Sequence, residues 1–236
     1  MNKEIYSGIY SGIYSGICGG LLSTIICNPL DVIRTHKQLN KKYILSFHFL
    51  YRGFNLSILT IPTFWGIYFP IYNKLKQNNT GVLSGYIAAN VSATVLCPLF
   101  FIRQKYQINT KFDILYFYKQ FGIKPFYNTL IPTYLLNMSF IFQMPLYEYL
   151  KKTINNNNLF NILYITTISK TVATIIIYPL DTIRTIKRDN NQLKLINIIK
   201  QLNNNKIKYY SGIFYYLLRG IPTHIITFCT YEYLNK

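Results

Sequence analysis

Pro29-Leu30-Asp31-Val32-Ile33-Arg34 is written again as Pro98-Leu99-Phe100-Phe101-Ile102-Arg103, and a third time as Pro179-Leu180-Asp181-Thr182-Ile183-Arg184. Each copy ends an apolar stretch that small residues precede. A phrase that recurs at a long period marks a tandem array of one structural unit. The copies stand 69 and 81 residues apart. That leaves room in each unit for two membrane-spanning helices of about 20 residues and a connection.

Composition agrees. Half of the 236 residues are apolar and 14% are charged, where a soluble domain carries about 25%. The net charge is +18. A nucleic-acid binder would gather such charge on one face of a polar domain. Here the basic residues cap apolar segments, as bilayer-spanning helices require, so nucleic acid is not an expected partner. Cys18, Cys27, Cys97 and Cys229 sit singly in apolar stretches, without metal or disulfide spacing, and read as buried, inert thiols. The N-terminus shows no cleavable signal pattern.

Six helices are expected: Ile5–Gln38, Gly53–Lys76, Gly81–Gln107, Thr129–Lys152, Leu159–Lys187 and Gly212–Leu234. The odd ones carry the Pro-Leu phrase; the even ones are rich in Tyr and Phe. The units divide as residues 1–77, 78–153 and 154–236. Polar stretches follow each odd helix. Those at Ile108–Phe126 and Arg188–Tyr210 have room for a short amphipathic helix, and Leu195, Ile198, Ile199 and Leu202 keep its spacing. Leu39–Leu50 is too short for a comparable one. Gly8, Gly12, Gly16 and Gly20 fall near one helix face. For Gly16 and Gly20 close packing is expected, because Gly85 and Ala89 hold the same distances before Pro98.

The Pro-x-Asp-x-x-Arg phrase, with the acid missing from the second copy, resembles the signature of the mitochondrial carrier family. Each copy is followed by an aromatic-basic-Gly element or its remnant: Tyr51-Arg52-Gly53, Tyr127-Asn128-Thr129 and Tyr210-Ser211-Gly212. The resemblance covers nearly the whole chain. It implies an all-α membrane protein of six transmembrane helices in three two-helix repeats, with pseudo-threefold symmetry and a central water-filled cavity. It also implies alternating access across the mitochondrial inner membrane, both termini in the intermembrane space, a monomer, no cofactor, and cardiolipin as a candidate lipid partner.

Proline inside a helix removes a hydrogen bond and clashes one turn back, so Pro29, Pro98 and Pro179 are expected to kink three helices toward one another. The resemblance makes Asp31, Arg34, Arg103, Asp181 and Arg184 a matrix gate, in which an acid on one helix meets an Arg on the next. Gln38 and Gln107 would brace it from below, with Arg188 in the third such place. Phe100 replaces one acid, so one of Arg34, Arg103 and Arg184 lacks its partner. The opposite gate retains Lys76 with Glu148 and Lys151 with Glu232 at most.

For substrate, the resemblance points to Thr60, Leu136, Asn137 and Arg219 on the even helices. A lone cation in a spanning helix is functional by default, and a guanidinium suits phosphate or carboxylate. Lys170 is a second such cation. Its Ser169-Lys170 setting, the Trp65-Gly66-Ile67-Tyr68-Phe69 run and the aromatic Phe100 are similar to the carriers of folate, flavin, nicotinamide and pyrimidine nucleotides. Trp65 can stack on a flat ring. Gln143-Met144-Pro145-Leu146-Tyr147-Glu148 is similar to S-adenosylmethionine carriers, and Asn137 with Phe140 to iron carriers. A degenerate carrier serving as a membrane scaffold is the alternative from another class. No residue set suggests an enzyme. The expected cargo is an anionic nucleotide or nucleotide-like cofactor.

Overall fold

A computed structural model describes residues 3–77, 82–154, 159–220 and 222; the side chains of 3–16, 76, 77, 82, 140, 144, 159, 160 and 162 lie outside the description. The described residues are helical and contain no strand. The elements are α1 (Lys3–Gln38), α2 (Phe47–Leu50), α3 (Phe54–Gln77), α4 (Val82–Ile108), α5 (Ile114–Phe121), α6 (Lys124–Tyr127), α7 (Leu130–Asn137), α8 (Ser139–Ile154), α9 (Leu159–Asp189) and α10 (Leu195–Asn203). A 3-10 turn, Lys206–Tyr210, leads to a final described helix over 213–220.

Among the described residues four segments are long and apolar enough to cross a membrane: Ile17–Gln38, Phe47–Leu75, Leu83–Ile108 and Leu163–Asp189. Their polarity is inverted. Leu83, Ile87, Val91 and Val95 form an exposed apolar stripe on α4, while Ser84, Ala88 and Ser92 are wholly buried on its inner face. Such a surface buries its apolar stripe only against lipid.

The expected fourth helix is broken. At Met138 the backbone tightens, with Met138 N–H bonding the Leu135 carbonyl and Ile141 N–H bonding that of Met138. These three-residue bonds interrupt the α-helical register between α7 and α8. The sixth helix is described only over its first turns. The amphipathic expectations hold: α5 is anchored by Phe117 against Phe101 and Phe126 at 5.5 and 5.7 Å, and α10 buries Ile198 and Leu202 against Ile183. The first loop supplies only the single turn of α2.

Helices pack in sequence, α1 on α3, α3 on α4, α4 on α7, and α7 and α8 on α9. The 213–220 helix fills the remaining side. Tyr216 meets Tyr178 of α9 at 5.6 Å, and the Arg34 guanidinium of α1 lies 5.0 Å over the Tyr216 ring.

One contact recurs at the feet of the helices. The residue before each motif proline reaches a carbonyl just before the next even helix: Asn28 Nδ2 to Leu50 at 2.9 Å, Cys97 Sγ to Phe126 at 3.2 Å and Tyr178 hydroxyl to Ser211 at 2.8 Å. The aromatic-basic-Gly elements then meet the following odd helix. Gly53 and Gly212 take φ of +69° and +82°, and a Cβ on either would stand 3.1 Å from the carbonyl of Arg103 or Arg34. Left-handed backbone and close approach both favour glycine there. Gly20 is also pressed, 3.3 Å from Ile61 and Trp65 by the same measure, and Gly85 lies 3.4 Å from the Tyr68 hydroxyl. Gly8, Gly12 and Gly16 fall among the side chains outside the description. Cys27 and Cys97 are buried as expected; Cys18 is exposed on the outer surface of α1, and Cys229 lies outside the described residues.

Candidate functional site

The three motif copies bring their charged side chains together. Asp31 accepts from Arg103 Nη2 and from Arg219 Nη1, both at 2.7 Å. Asp181 pairs with Arg184, three residues along its own helix, at 2.5 Å, and accepts from Gln38 Nε2 at 2.9 Å. Arg34 stands between the two acids, 3.8 Å from Asp31 and 3.7 Å from Asp181. Both carboxylates are almost wholly buried, with side chains 5% and 3% exposed.

This arrangement identifies the consequence of Phe100. Asp31 on α1 meets Arg103 on α4, and Asp181 on α9 faces Arg34 on α1. Arg184 is therefore the base whose neighbour lost its acid, and it turns back onto Asp181 of its own helix. Gln38 braces Asp181 and also donates to the Tyr178 hydroxyl at 3.0 Å. Gln107 does not brace an ion pair. It accepts a hydrogen bond from the Thr35 hydroxyl at 3.3 Å.

Above these pairs lies a chamber with two lobes of about 310 and 380 Å³. Trp65, Asn137, Lys170, Arg184 and Tyr216 line both lobes. Arg219 lines the first and Leu136 the second. Asn137 is held by its amide bonding the Asn90 side chain at 2.8 Å. Among the described residues Lys170 has no hydrogen-bond or ion-pair partner. Its ammonium has the chamber as its polar outlet.

Two expectations are corrected. Thr60 is not brought to the chamber. It is fully buried and its hydroxyl donates to the Leu56 carbonyl at 2.8 Å, because a threonine in an apolar helix satisfies itself one turn back. Arg219 is not a lone cation: it holds Asp31. Sequence spacing alone did not signal this, since the pair joins residues 188 positions apart.

Trp65 belongs to an aromatic wall. It stacks on Phe69 at 5.5 Å and meets Phe64 edge-on at 5.6 Å; Phe64 in turn meets Phe100 at 6.3 Å. On α8, Glu148 and Lys151 are exposed. Their expected partners, the Lys76 side chain and Glu232, lie outside the described residues. No group of three or more metal-ligating side chains occurs among the described residues.

The family model described as mitochondrial carrier protein matches residues 155–236. Solute carrier family 25 member 33 of Bos taurus is 25% identical over 221 residues, covering 78% of this chain and 69% of that protein. The nicotinamide adenine dinucleotide transporter 2 of Arabidopsis thaliana mitochondria is 25% identical over 279 residues, covering 92% and 76%. The mitochondrial nicotinamide adenine dinucleotide transporter 1 of Saccharomyces cerevisiae is 26% identical over 227 residues, covering 79% and 61%. With the motif copies gathered around one chamber and the apolar faces turned outward, these likenesses make the chain similar to the mitochondrial carrier family, whose members are transporters and not enzymes.

Proposed function

We propose that this protein carries an anionic, ring-bearing metabolite, a nucleotide or nucleotide-like cofactor, across the mitochondrial inner membrane by alternating access. The observation that carries the reading is a single chamber that joins an aromatic wall, Phe64 and Trp65, to two cations deep in the spanning helices, Lys170 and Arg219. Lys170 and Arg219 hold the anionic groups. Trp65 stacks on the ring, and Leu136 and Asn137 shape the rest of the pocket. The names of two relatives, both nicotinamide adenine dinucleotide transporters, support the same class.

Six helices in three repeats, 1–77, 78–153 and 154–236, form the carrier on this reading, and the recurring contacts at the helix feet support it. Asp31, Arg34, Arg103, Asp181 and Arg184 close the matrix side, braced by Gln38. Lys76, Glu148, Lys151 and Glu232 close the other. Because Arg219 bonds Asp31, a cargo anion that engages Arg219 competes with that carboxylate and loosens the matrix gate from above. The carrier acts as a monomer, with cardiolipin as a lipid partner.

The test is uptake of labelled nucleotides and dinucleotides by liposomes holding the purified protein. Lys170→Ala removes a cation without breaking any ion pair among the described residues, so the variant should fold and fail to transport. Uptake at the wild-type rate by Lys170→Ala and by Trp65→Ala would overturn the reading.

A further inference from the structure

The floor of the chamber is one acid short, while the cations around that place remain. Six cationic side chains line the two lobes (Arg34, Arg103, Lys170, Arg184, Arg188 and Arg219) against two carboxylates, Asp31 and Asp181. Asp31 is taken up by Arg103 and Arg219, and Asp181 by Arg184 and Gln38. Among the described residues Lys170 and Arg188 are left without an acid, and Arg188 is the one that lies against Phe100. Arg188 is 6% exposed, and its guanidinium makes one hydrogen bond, from Nε to the Thr129 hydroxyl at 3.3 Å, with no ion pair among the described residues. Arg184, Arg103 and Asp181 are among its charged neighbours.

Phe100 stands where the other copies carry their acid, and Arg188 lies 5.9 Å over its ring. The ring that replaced the carboxylate therefore keeps a guanidinium at the carboxylate's place. Arg184 adds a buried Nε without a hydrogen-bond partner among the described residues. Buried guanidinium groups left uncompensated are costly, and an anion that pairs with them relieves that cost. A terminal phosphate, with three equivalent oxygens and nearly two charges, matches planar guanidinium donors.

We propose that Phe100, Arg184 and Arg188 form an anion subsite in the chamber floor, where the terminal phosphate of the cargo takes the place of the missing carboxylate. This rests on the nucleotide reading above and narrows it. The cargo is a nucleoside di- or triphosphate, with its base toward Trp65 and its phosphates toward the floor. The internal phosphodiesters of a dinucleotide, one charge each, match the excess of cations less well. The aromatic wall from Trp65 through Phe64 to Phe100 gives the length of such a molecule one continuous side.

Inorganic tripolyphosphate, UMP and UTP are titrated into the purified protein in detergent, with affinity and melting temperature as readouts. Wild type should bind tripolyphosphate, and UTP more tightly than UMP. Phe100→Glu restores the acid. It should weaken tripolyphosphate and UTP by about tenfold or more, the loss expected for a charge-assisted contact, while the ligand-free protein melts no lower than wild type. Arg188→Gln should weaken the same two ligands, which keeps the test open if Phe100→Glu does not fold. Wild-type affinity for tripolyphosphate in either variant, or no binding by wild type, overturns the subsite. If UTP binding depends on Trp65 but tripolyphosphate is indifferent to Phe100→Glu, only the subsite fails. If tripolyphosphate binds as proposed and the nucleotides bind no better, the nucleotide reading fails and the subsite stands.

Discussion

Asp31 carries more of the charged network than any other residue, and Asp31→Asn measures how much. The carboxylate is 5% exposed and accepts two bonds of 2.7 Å, from Arg103 on α4 and Arg219 on the 213–220 helix. A hydrogen bond to a charged group is worth about 1.5–3 kcal/mol, so the two together contribute about 3–6 kcal/mol. Asparagine keeps one oxygen, which recovers about 1 kcal/mol as a neutral acceptor. It leaves two cations facing each other without a counter-charge, and removing one partner of a buried pair costs about 3–5 kcal/mol. A loss of about 4 kcal/mol follows from both routes. In a chain of this length each kcal/mol moves the midpoint about 2–4 °C, so the variant should melt about 8–16 °C lower. A thiol-reactive dye follows the unfolding, because Cys27 and Cys97 are buried in the folded state and become accessible on unfolding. A double-mutant cycle with Arg103→Gln should return a coupling of about 1.5–3 kcal/mol. Melting within about 2 °C of wild type, or additive effects, would refute the assignment of Asp31 as the centre of the network.

Arg34 contacts both acids only at 3.7–3.8 Å, so Arg34→Gln should cost clearly less than Asp31→Asn, about 1–2 kcal/mol in the same melting assay. Three glycines separate steric from conformational cost. Gly53→Ala meets both a φ of +69° and a carbonyl 3.1 Å away, and should lose about 2–3 kcal/mol. Gly122→Ala has the same φ in open space and should lose about 1 kcal/mol, and Gly66→Ala, helical and unobstructed, should gain up to about 1 kcal/mol. Thr60→Ala should leave uptake near the wild-type rate, because its hydroxyl is committed to its own helix. Asn137→Ala should lower uptake several-fold, because it lines both lobes; equal rates for the two variants would contradict the position of Thr60.

The motif phrase, its acid-to-base spacing and the apolar segments that carry it are local, and all were legible in the sequence. The pairing partner of each acid was not, because it depends on the order of helices around the chamber. That order answers the question left open by Phe100: Asp31 faces Arg103 and Arg34 lies near Asp181, so Arg184 is the base without an acid across the interface. Thr60 was misplaced because a fixed count from Tyr51-Arg52-Gly53 locates a position along α3 and not the face it presents. The break at Met138 has no proline or glycine to announce it. It arises from a local change of hydrogen-bond register that composition does not encode.

A network with two acids needs other cohesion on the side where its third pair is missing, and the structure supplies it with donors aimed at backbone. Between α4 and α9, where Phe100 removed an acid, Gln104 Nε2 bonds the Thr185 carbonyl at 2.8 Å and Lys105 Nζ bonds that of Asp189 at 2.7 Å. Between α1 and α9, where an acid remains, Lys41 bridges the Asp189 carboxylate at 2.8 Å. Bonds to carbonyls add cohesion without another buried carboxylate, whose desolvation would have to be offset. The Gln104 bond, from a neutral donor, is worth about 1 kcal/mol, and the Lys105 bond, from a charged donor, about 1.5–3 kcal/mol. On the proposed carrier reading, such a gate releases α4 from α9 through exchangeable hydrogen bonds and α1 from α4 through Asp31. Since Arg219 also holds Asp31, the proposed cargo, on engaging Arg219, acts first on the contact between α1 and α4.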